Sequence, residues 1–239
     1  MRGMTAILKK EFKAYWISPM GYIYLVVFLS LTMWIFFRGF FIINQANIRT
    51  FFSILPWVFL LFIPAITMRL WTEERRLGTL ELILTLPVKD HEVLFGKFLA
   101  AYLFLIISLI LTLPLPISVS LIGNLDWGQV ITSYIGALLL GGAYLSIGIF
   151  ASSISFNQIV SFILGAVFIF LLYLIGMQWI LMTFPPRIAA VLQYLGLGYH
   201  YEGIIRGVLD IRDILYYLSV MAIFLYLNLR SIEIWRLGG

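Results

Sequence analysis

Residues 89–98 contain the side chains best suited to metal or nucleotide chemistry, and their spacing argues against both. Asp90, His91 and Glu92 are metal-ligating types, but consecutive side chains diverge on a helix and cannot converge on one ion. We therefore expect no metal site here, and we expect Asp90 to cap the start of the next helix. The sequence has no cysteine, so disulfides and thiolate metal sites are excluded.

The same stretch contains only a fragment of a nucleotide-binding loop. Gly96 and Lys97 match the end of a P-loop, but Phe98 stands where the motif needs Ser or Thr, and His91 replaces its first glycine. We therefore expect no cofactor in this chain. If ATP drives the protein, another chain must bind it.

The composition is that of a polytopic membrane protein. The 239 residues are 62% hydrophobic and 11% charged, with a mean hydropathy of +1.03. Soluble domains contain roughly 45–50% apolar and about 25% charged residues. The net charge of +5 comes from basic residues scattered at the ends of apolar segments, which indicates membrane topology and no nucleic-acid partner.

Six apolar segments are long enough to cross a hydrocarbon layer of about 30 Å. They predict an all-α fold with spans at residues 21–43, 51–68, 93–122, 131–151, 158–182 and 214–229. Pro114 and Pro116 are expected to kink the third span or mark its outer end. No span has Asp, Glu or His near its centre, which argues against a proton- or sodium-coupled carrier.

Residues 4–18 are predicted to form an amphipathic interfacial helix that ends at Ser18-Pro19. Its basic and aromatic residues favour anionic lipid heads. The distribution of basic residues favours both termini in the cytoplasm, with eleven Lys and Arg inside and five outside. The densely charged segment 69–97 between spans two and three is then also cytoplasmic.

Within that segment, the pattern of residues 73–86 predicts a short amphipathic helix. Its apolar side consists of Leu77, Leu80, Leu82, Ile83 and Leu86, and Pro87 ends it. A helix tethered between two spans suits the transfer of force from a soluble partner. The alternative is a solvated helix whose charges only fix the topology.

The residues of this segment carry a resemblance to a known family. PAITMRLWTEERRLGTLEL at residues 64–82, LPV at 86–88 and GKF at 96–98 resemble the coupling-helix region of ABC-2 type transporter permeases, most closely the gliding-motility and nitrous-oxide-reductase-maturation branch. The resemblance extends over nearly the whole chain, and it identifies 1–239 as a single ABC-2 type transmembrane domain.

The resemblance implies that this helix sits in a cleft of an ABC ATP-binding subunit, which carries the ATP and Mg²⁺. Glu74 or Glu81 would pair with basic residues there, and residues 4–18 would either help to shape the dock or act only as an anchor. The implied coupling residues are Glu73, Glu74, Arg75, Arg76, Gly78, Thr79 and Glu81.

Residues 183–213 form the longest region between predicted spans, on the expected external side. Pro185-Pro186 is predicted to open a helix that continues to about Leu195, and Gly196 and Gly198 are predicted to break it. The stretch YHYEGIIRGVLDIRD at residues 199–213 again resembles the gliding-motility branch, and short re-entrant helices at this position in ABC-2 permeases help to form an external gate. The candidate gate or partner-docking residues are His200, Tyr201, Glu202, Arg206, Asp210, Arg212 and Asp213.

Small residues at four-residue spacing mark the fourth and fifth spans. They are Ala137 with Gly141, Gly142 with Ser146, Gly148 with Ser152, and Ser161 with Gly165. Such spacing permits close helix contact, either within the chain or at a dimer seam. We expect the former.

The sequence thus predicts a non-enzymatic permease subunit of an ATP-driven ABC-2 exporter in the bacterial cytoplasmic (inner) membrane. The resemblance implies an ATP-binding subunit and a second permease copy or paralogue as partners, and apolar spans suggest a lipidic or amphipathic substrate. The alternative is a mechanotransmission permease that relays ATPase strokes to a periplasmic or membrane accessory protein without transport. A membrane-embedded enzyme would need converging titratable residues, and a passive scaffold would not need the charged helix.

Overall fold

The computed structural model describes residues 2–43, 48–79 and 88–238, and these residues form helices joined by short turns. The helices of the described residues are α1 Arg2–Ile17, α2 Pro19–Ile43, α3 Arg49–Thr67, α4 Arg69–Arg76, α5 Asp90–Ile110, α6 Pro114–Ile122, α7 Trp127–Ile154, α8 Gln158–Leu174, α9 Gln178–Leu181, α10 Pro186–Leu195, α11 Leu197–Ile205 and α12 Ile211–Gly238. The all-helical prediction is confirmed for the part of the chain that the structure describes.

Five helical stretches in the described ranges are long and apolar enough to cross a membrane. They are Pro19–Gly39, Arg49–Arg76, Asp90–Ile122, Trp127–Ile154 and Ile211–Arg236. The fifth predicted span, residues 158–182, is wrong in its extent because α8 ends at Leu174. At about 1.5 Å per residue, the 17 residues of α8 cover roughly 25 Å.

The chain makes a close backbone contact just after the end of α8. Gly176 follows the helix and packs backbone to backbone against Gly196, the residue between α10 and α11. A Cβ added to Gly196 would lie 2.2 Å from the Cα of Gly176, so this contact needs two glycines. The predicted break at Gly196 is confirmed, whereas Gly198 lies inside α11.

The prolines and caps fix several other boundaries. α5 ends at Ile110 and α6 begins at Pro114, as the prolines predicted. The Asn157 side chain accepts the Ile159 N–H at 2.9 Å and caps α8. The prediction that Asp90 caps α5 is wrong: Lys89 occupies the cap position, and Asp90 instead accepts a 3.2 Å bond from Arg236 on α12.

α7 is the central helix of the bundle. It contacts α3, α5, α8, α11 and α12. In its most apolar 18-residue stretch, 78% of the residues are buried, compared with 28% for α2 and 22% for α12. Its glycines make this possible: a Cβ on Gly141 would lie 2.4 Å from Leu105, and one on Gly148 would lie 2.3 Å from Thr67. The small residues therefore serve packing within the chain, as expected.

α1 lies against α5 and turns sharply into α2. A Cβ on Gly96 of α5 would lie 2.9 Å from Ile7 Cγ2, and one on Gly21 would lie 1.9 Å from the Tyr15 carbonyl oxygen. Glycine at both positions thus allows the close approach of α1. The exposed face of α1 carries Lys9, Lys10 and Lys13.

The candidate coupling site and gate region

The α4 element continues the second predicted span and does not begin at residue 73. After a turn at Met68, α4 runs from Arg69 to Arg76. Gly78 then adopts a φ of +67°, a left-handed conformation that suits glycine at the end of a helix. The predicted helix over residues 73–86 is therefore wrong at both its start and its continuity.

The remainder of the predicted coupling helix lies outside the described residues. Residues 80–87 include Glu81 and most of the predicted apolar side. Of the implied coupling residues, Glu73, Arg76, Gly78 and Thr79 are exposed, whereas Arg75 is half-buried. Glu74 is only 8% exposed and points into the protein.

Glu74 meets a buried lysine from α5. The Lys97 ammonium is 1% exposed and donates to Glu74 Oε1 at 2.8 Å, to the Leu70 carbonyl oxygen at 2.7 Å and to Glu11 Oε1 at 3.2 Å. Leu70 and Glu74 belong to α4, and Glu11 belongs to α1. We refer to Lys97, Glu74 and Glu11 as the lysine cluster.

The lysine cluster is electrically balanced by its surroundings. Lys10 lies 3.6 Å from both Glu11 and Glu74, so two ammonium groups face two carboxylates. The Trp71 ring lies 4.9 Å from the Lys97 nitrogen and adds a cation–π contact. Burial of a lysine needs such compensation, because transfer of an unpaired charge from water is strongly unfavourable.

Arg75 anchors the other buried side of α4. Its guanidinium lies 3.1 Å from the ring centroid of Trp235 on α12 and donates to the Ser155 carbonyl oxygen at 3.1 Å. Nearby, Ser152 Oγ on α7 donates to the Met68 carbonyl oxygen and accepts the Trp71 N–H, both at 3.1 Å. α4 is thus fixed to α7 and α12 as well as to α1 and α5.

The candidate gate residues occupy the opposite end of the bundle. Gln129, in the first turn of α7, donates to the Ile205 carbonyl oxygen of α11 at 2.8 Å, whereas Ser152, near the end of α7, bonds to α4. At about 1.5 Å per residue, these two positions are roughly 35 Å apart, close to the thickness of a hydrocarbon layer. We refer to the two ends as the α4 end and the α11 end.

His200 is the centre of the α11 end. It is 2% exposed and stacks on Tyr216, with ring centroids 3.9 Å apart. Its Nδ1 lies 2.6 Å from Asp213 Oδ1, and its Nε2 donates to the Tyr194 carbonyl oxygen at 2.9 Å. These contacts join α10, α11 and α12.

Two further tyrosines tie α11 to its neighbours. Tyr201 donates to the Phe52 carbonyl oxygen of α3 at 2.9 Å, and Tyr217 of α12 donates to the Leu197 carbonyl oxygen at 2.7 Å. Burial raises the pKa of the Tyr201 phenol well above its ordinary range, so the hydroxyl remains a donor.

The remaining candidate gate residues are at the surface. Glu202 and Arg206 form an exposed 3.4 Å pair along α11, and Asp210 accepts the Arg212 N–H at 2.9 Å before α12. The structure therefore brings His200 and Asp213 together, buries Tyr201 against α3, and leaves the other four exposed. Arg212 also lines an open recess of about 310 Å³ with Tyr194 and Tyr216.

Sequence reasoning missed the lysine cluster. From the sequence alone, Lys97 is one of the basic residues that indicate the cytoplasmic side, and Glu74 is a candidate contact for a partner. One signal was available: Lys97 is the only charged residue in the apolar run from residue 93 to 122. A charge within an apolar run is expensive unless it has a partner.

This fold, with five helical stretches of membrane length in the described residues and the charged α4 at the end of the second, is that of a multi-pass helical membrane protein. The model of the ABC-2 family transporter proteins matches residues 30–233. The chain therefore belongs to that family, whose members are membrane components of ABC transporters and work with an ABC ATP-binding subunit. A comparison with curated proteins found no significant match.

Proposed function

We propose that this chain is the membrane-spanning subunit of an ATP-driven ABC-2 exporter, and that a separate subunit binds ATP and Mg²⁺ and displaces α4. One observation carries the proposal: four consecutive charged residues of α4 divide between an exposed and a buried side. Glu73 and Arg76 are exposed, whereas Glu74 is buried and Arg75 is half-buried, and both of these bond to other parts of the chain. An element of this kind can receive a force and pass it on.

The docking surface in this proposal consists of Glu73, Arg76 and Thr79, followed by Glu81. The left-handed turn at Gly78 lets the chain leave α4 abruptly. We place the α4 end and both termini in the cytoplasm of a bacterium, with the protein in its inner membrane, because the basic residues favour that orientation.

In this proposal the α11 end is the external gate, where the His200 contacts hold α10, α11 and α12 together. The lateral faces of α2 and α12 are largely unburied and apolar, which supports contact with membrane lipid and with a second permease copy or paralogue. A lipidic or amphipathic substrate fits these apolar faces, and the resemblance of residues 199–213 to the gliding-motility branch supports a related role.

A mechanotransmission permease is the second candidate, and α10 favours it. Four large apolar side chains of this helix are half or more exposed: Ile188 at 50%, Val191 at 60%, Tyr194 at 53% and Leu195 at 50%. Such a surface suits a periplasmic or membrane accessory protein. Transport assays in sealed vesicles separate the two candidates, because only the exporter moves a substrate.

Co-purification tests the proposal. The solubilised chain is isolated from its native host as wild type, as Glu73→Ala/Arg76→Ala and as the control Arg230→Ala/Glu233→Ala, which removes an exposed ion pair on α12. We expect an ATP-binding protein with wild type and the control, and at least about a tenfold loss with the α4 variant, since 1.4 kcal/mol of lost contact is tenfold in affinity. A folded wild-type chain that retains no ATPase would refute the proposal.

A further inference from the structure

We propose that Lys97 is a positioning residue that makes α1 move with α4. The ATP-driven displacement of α4 then displaces α1 as well. The inference rests on the proposed function for the origin of the force. The link itself rests on the lysine cluster alone.

Every N–H donor of the Lys97 ammonium has a hydrogen-bond acceptor. An ammonium has three N–H donors, and here they have three acceptors: the Leu70 carbonyl oxygen, Glu74 and Glu11. Two acceptors lie on α4 and one lies on α1. A displacement of α4 away from α1 would therefore leave a buried charge with unpaired donors.

Lys97 is the buried ion-pair connection between α1 and α4. Two other contacts accompany it: Lys10 of α1 lies 3.6 Å from Glu74, and the Arg69 guanidinium of α4 lies 4.9 Å from the ring centroid of Tyr15 on α1. α4 packs on α3, α7 and α8, whereas α1 packs on α5 and α2. Lys97 lies on α5 and reaches both groups of helices. The cluster also leaves Glu74 Oε2 buried with no hydrogen-bond partner among the described residues. The Glu74 carboxylate is therefore desolvated in the conformation that contacts Lys97.

Stability alone does not explain a buried ammonium at this position. Well-packed apolar residues of similar volume often hold helices as well as a buried ion pair, or better. Charged groups instead fix one arrangement, because any other arrangement leaves a charge unpaired. This is the property needed for two helices to move as one unit.

Spin-label distances test the link directly, because the chain has no native cysteine. Labels are attached to Lys13→Cys on α1 and Ile223→Cys on α12, both exposed positions. The distance is measured in nanodiscs for the otherwise unchanged chain, for Lys97→Met/Glu74→Gln, and for the control Arg230→Met/Glu233→Gln. The control removes an exposed pair with the same 2.8 Å separation.

The first readout uses the chain without any partner. We expect a narrow α1–α12 distance distribution in the unchanged chain and the control, and a distribution at least about twice as broad in the lysine-cluster variant, since its helix is no longer held in one position. An equally narrow distribution in that variant would show that Lys97 does not hold α1, and would overturn the inference whether or not the proposed function is correct.

The second readout uses the complex with its ATP-binding subunit, free of nucleotide or trapped with ATP and vanadate. We expect ATP to shift the mean distance by about 2 Å or more in the unchanged chain, the size of a typical helix shift, and the shift to vanish in Lys97→Met/Glu74→Gln. A fixed α1 in the unchanged complex, or an undiminished shift in the variant, contradicts the inference. Failure to isolate any ATP-binding subunit counts against the proposed function alone.

Discussion

Lys97→Met is predicted to destabilise the fold far more than Arg230→Met, although each change removes an ion pair with a 2.8 Å separation. The Lys97 side chain is 1% exposed and the side chain of its partner Glu74 is 10% exposed. The Arg230 side chain is 58% exposed, and that of its partner Glu233 is 39% exposed. The comparison therefore separates the effect of burial from the effect of distance.

The size of the effect follows from what each change leaves behind. Lys97→Met leaves Glu74, Glu11 and the Leu70 carbonyl oxygen without their shared donor. Removal of one partner from a buried ion pair typically costs about 3–5 kcal/mol, and we expect a loss of unfolding free energy in that range. Arg230→Met leaves only Glu233 without its partner, and that carboxylate is solvated by water, so no measurable change is expected.

Denaturant titration of the purified protein in mild detergent, followed by tryptophan fluorescence, measures both losses. The double variant Lys97→Met/Glu74→Gln should recover a large part of the loss, because the most buried carboxylate is then neutral. Equal losses for Lys97→Met and Arg230→Met would refute the reasoning from burial. A double variant less stable than Lys97→Met would refute the reasoning from unpaired charge.

Two further predictions concern the α11 end, and both are measured as changes in unfolding free energy in the same titration. His200→Phe keeps a ring against Tyr216 but removes the donor to the Tyr194 carbonyl oxygen and the contact with Asp213. We therefore expect a loss of about 2–3 kcal/mol in unfolding free energy. No loss would show that packing alone stabilises the α11 end. Gly196→Ala places a Cβ 2.2 Å from a backbone carbon and should cost about 3 kcal/mol, whereas the control Gly39→Ala, with its nearest neighbour at 3.8 Å, should cost nothing.

The membrane class and most helix positions could be predicted because length and apolarity alone decide them. The break before Pro114 was also predictable, since it depends on local backbone chemistry, and the same kind of chemistry explains the cap at Asn157. The end of α8 and the contact of Gly176 with Gly196 that follows it could not be predicted, because that contact depends on how separate segments of the chain pack. No periodicity within residues 158–182 carries that information.

The sequence also could not separate the roles of Glu73 and Glu74. Both are acidic, adjacent and equally suited to a docking surface, and successive positions on a helix differ by about 100°. Only the position of Lys97 shows which carboxylate is buried. His200 and Asp213 were each candidates, but their pairing depends on how α11 meets α12, which the sequence does not determine.

The charges of α4 explain how one short helix can act on the whole bundle. Glu74 connects it through Lys97 to α5 and α1, and Arg75 connects it to Trp235 on α12. Ser152 joins the same helix to α7, whose other end holds α11 through Gln129. A displacement of α4 therefore acts on several helices at once, and the rigid, buried α7 offers the most direct path from the α4 end to the α11 end.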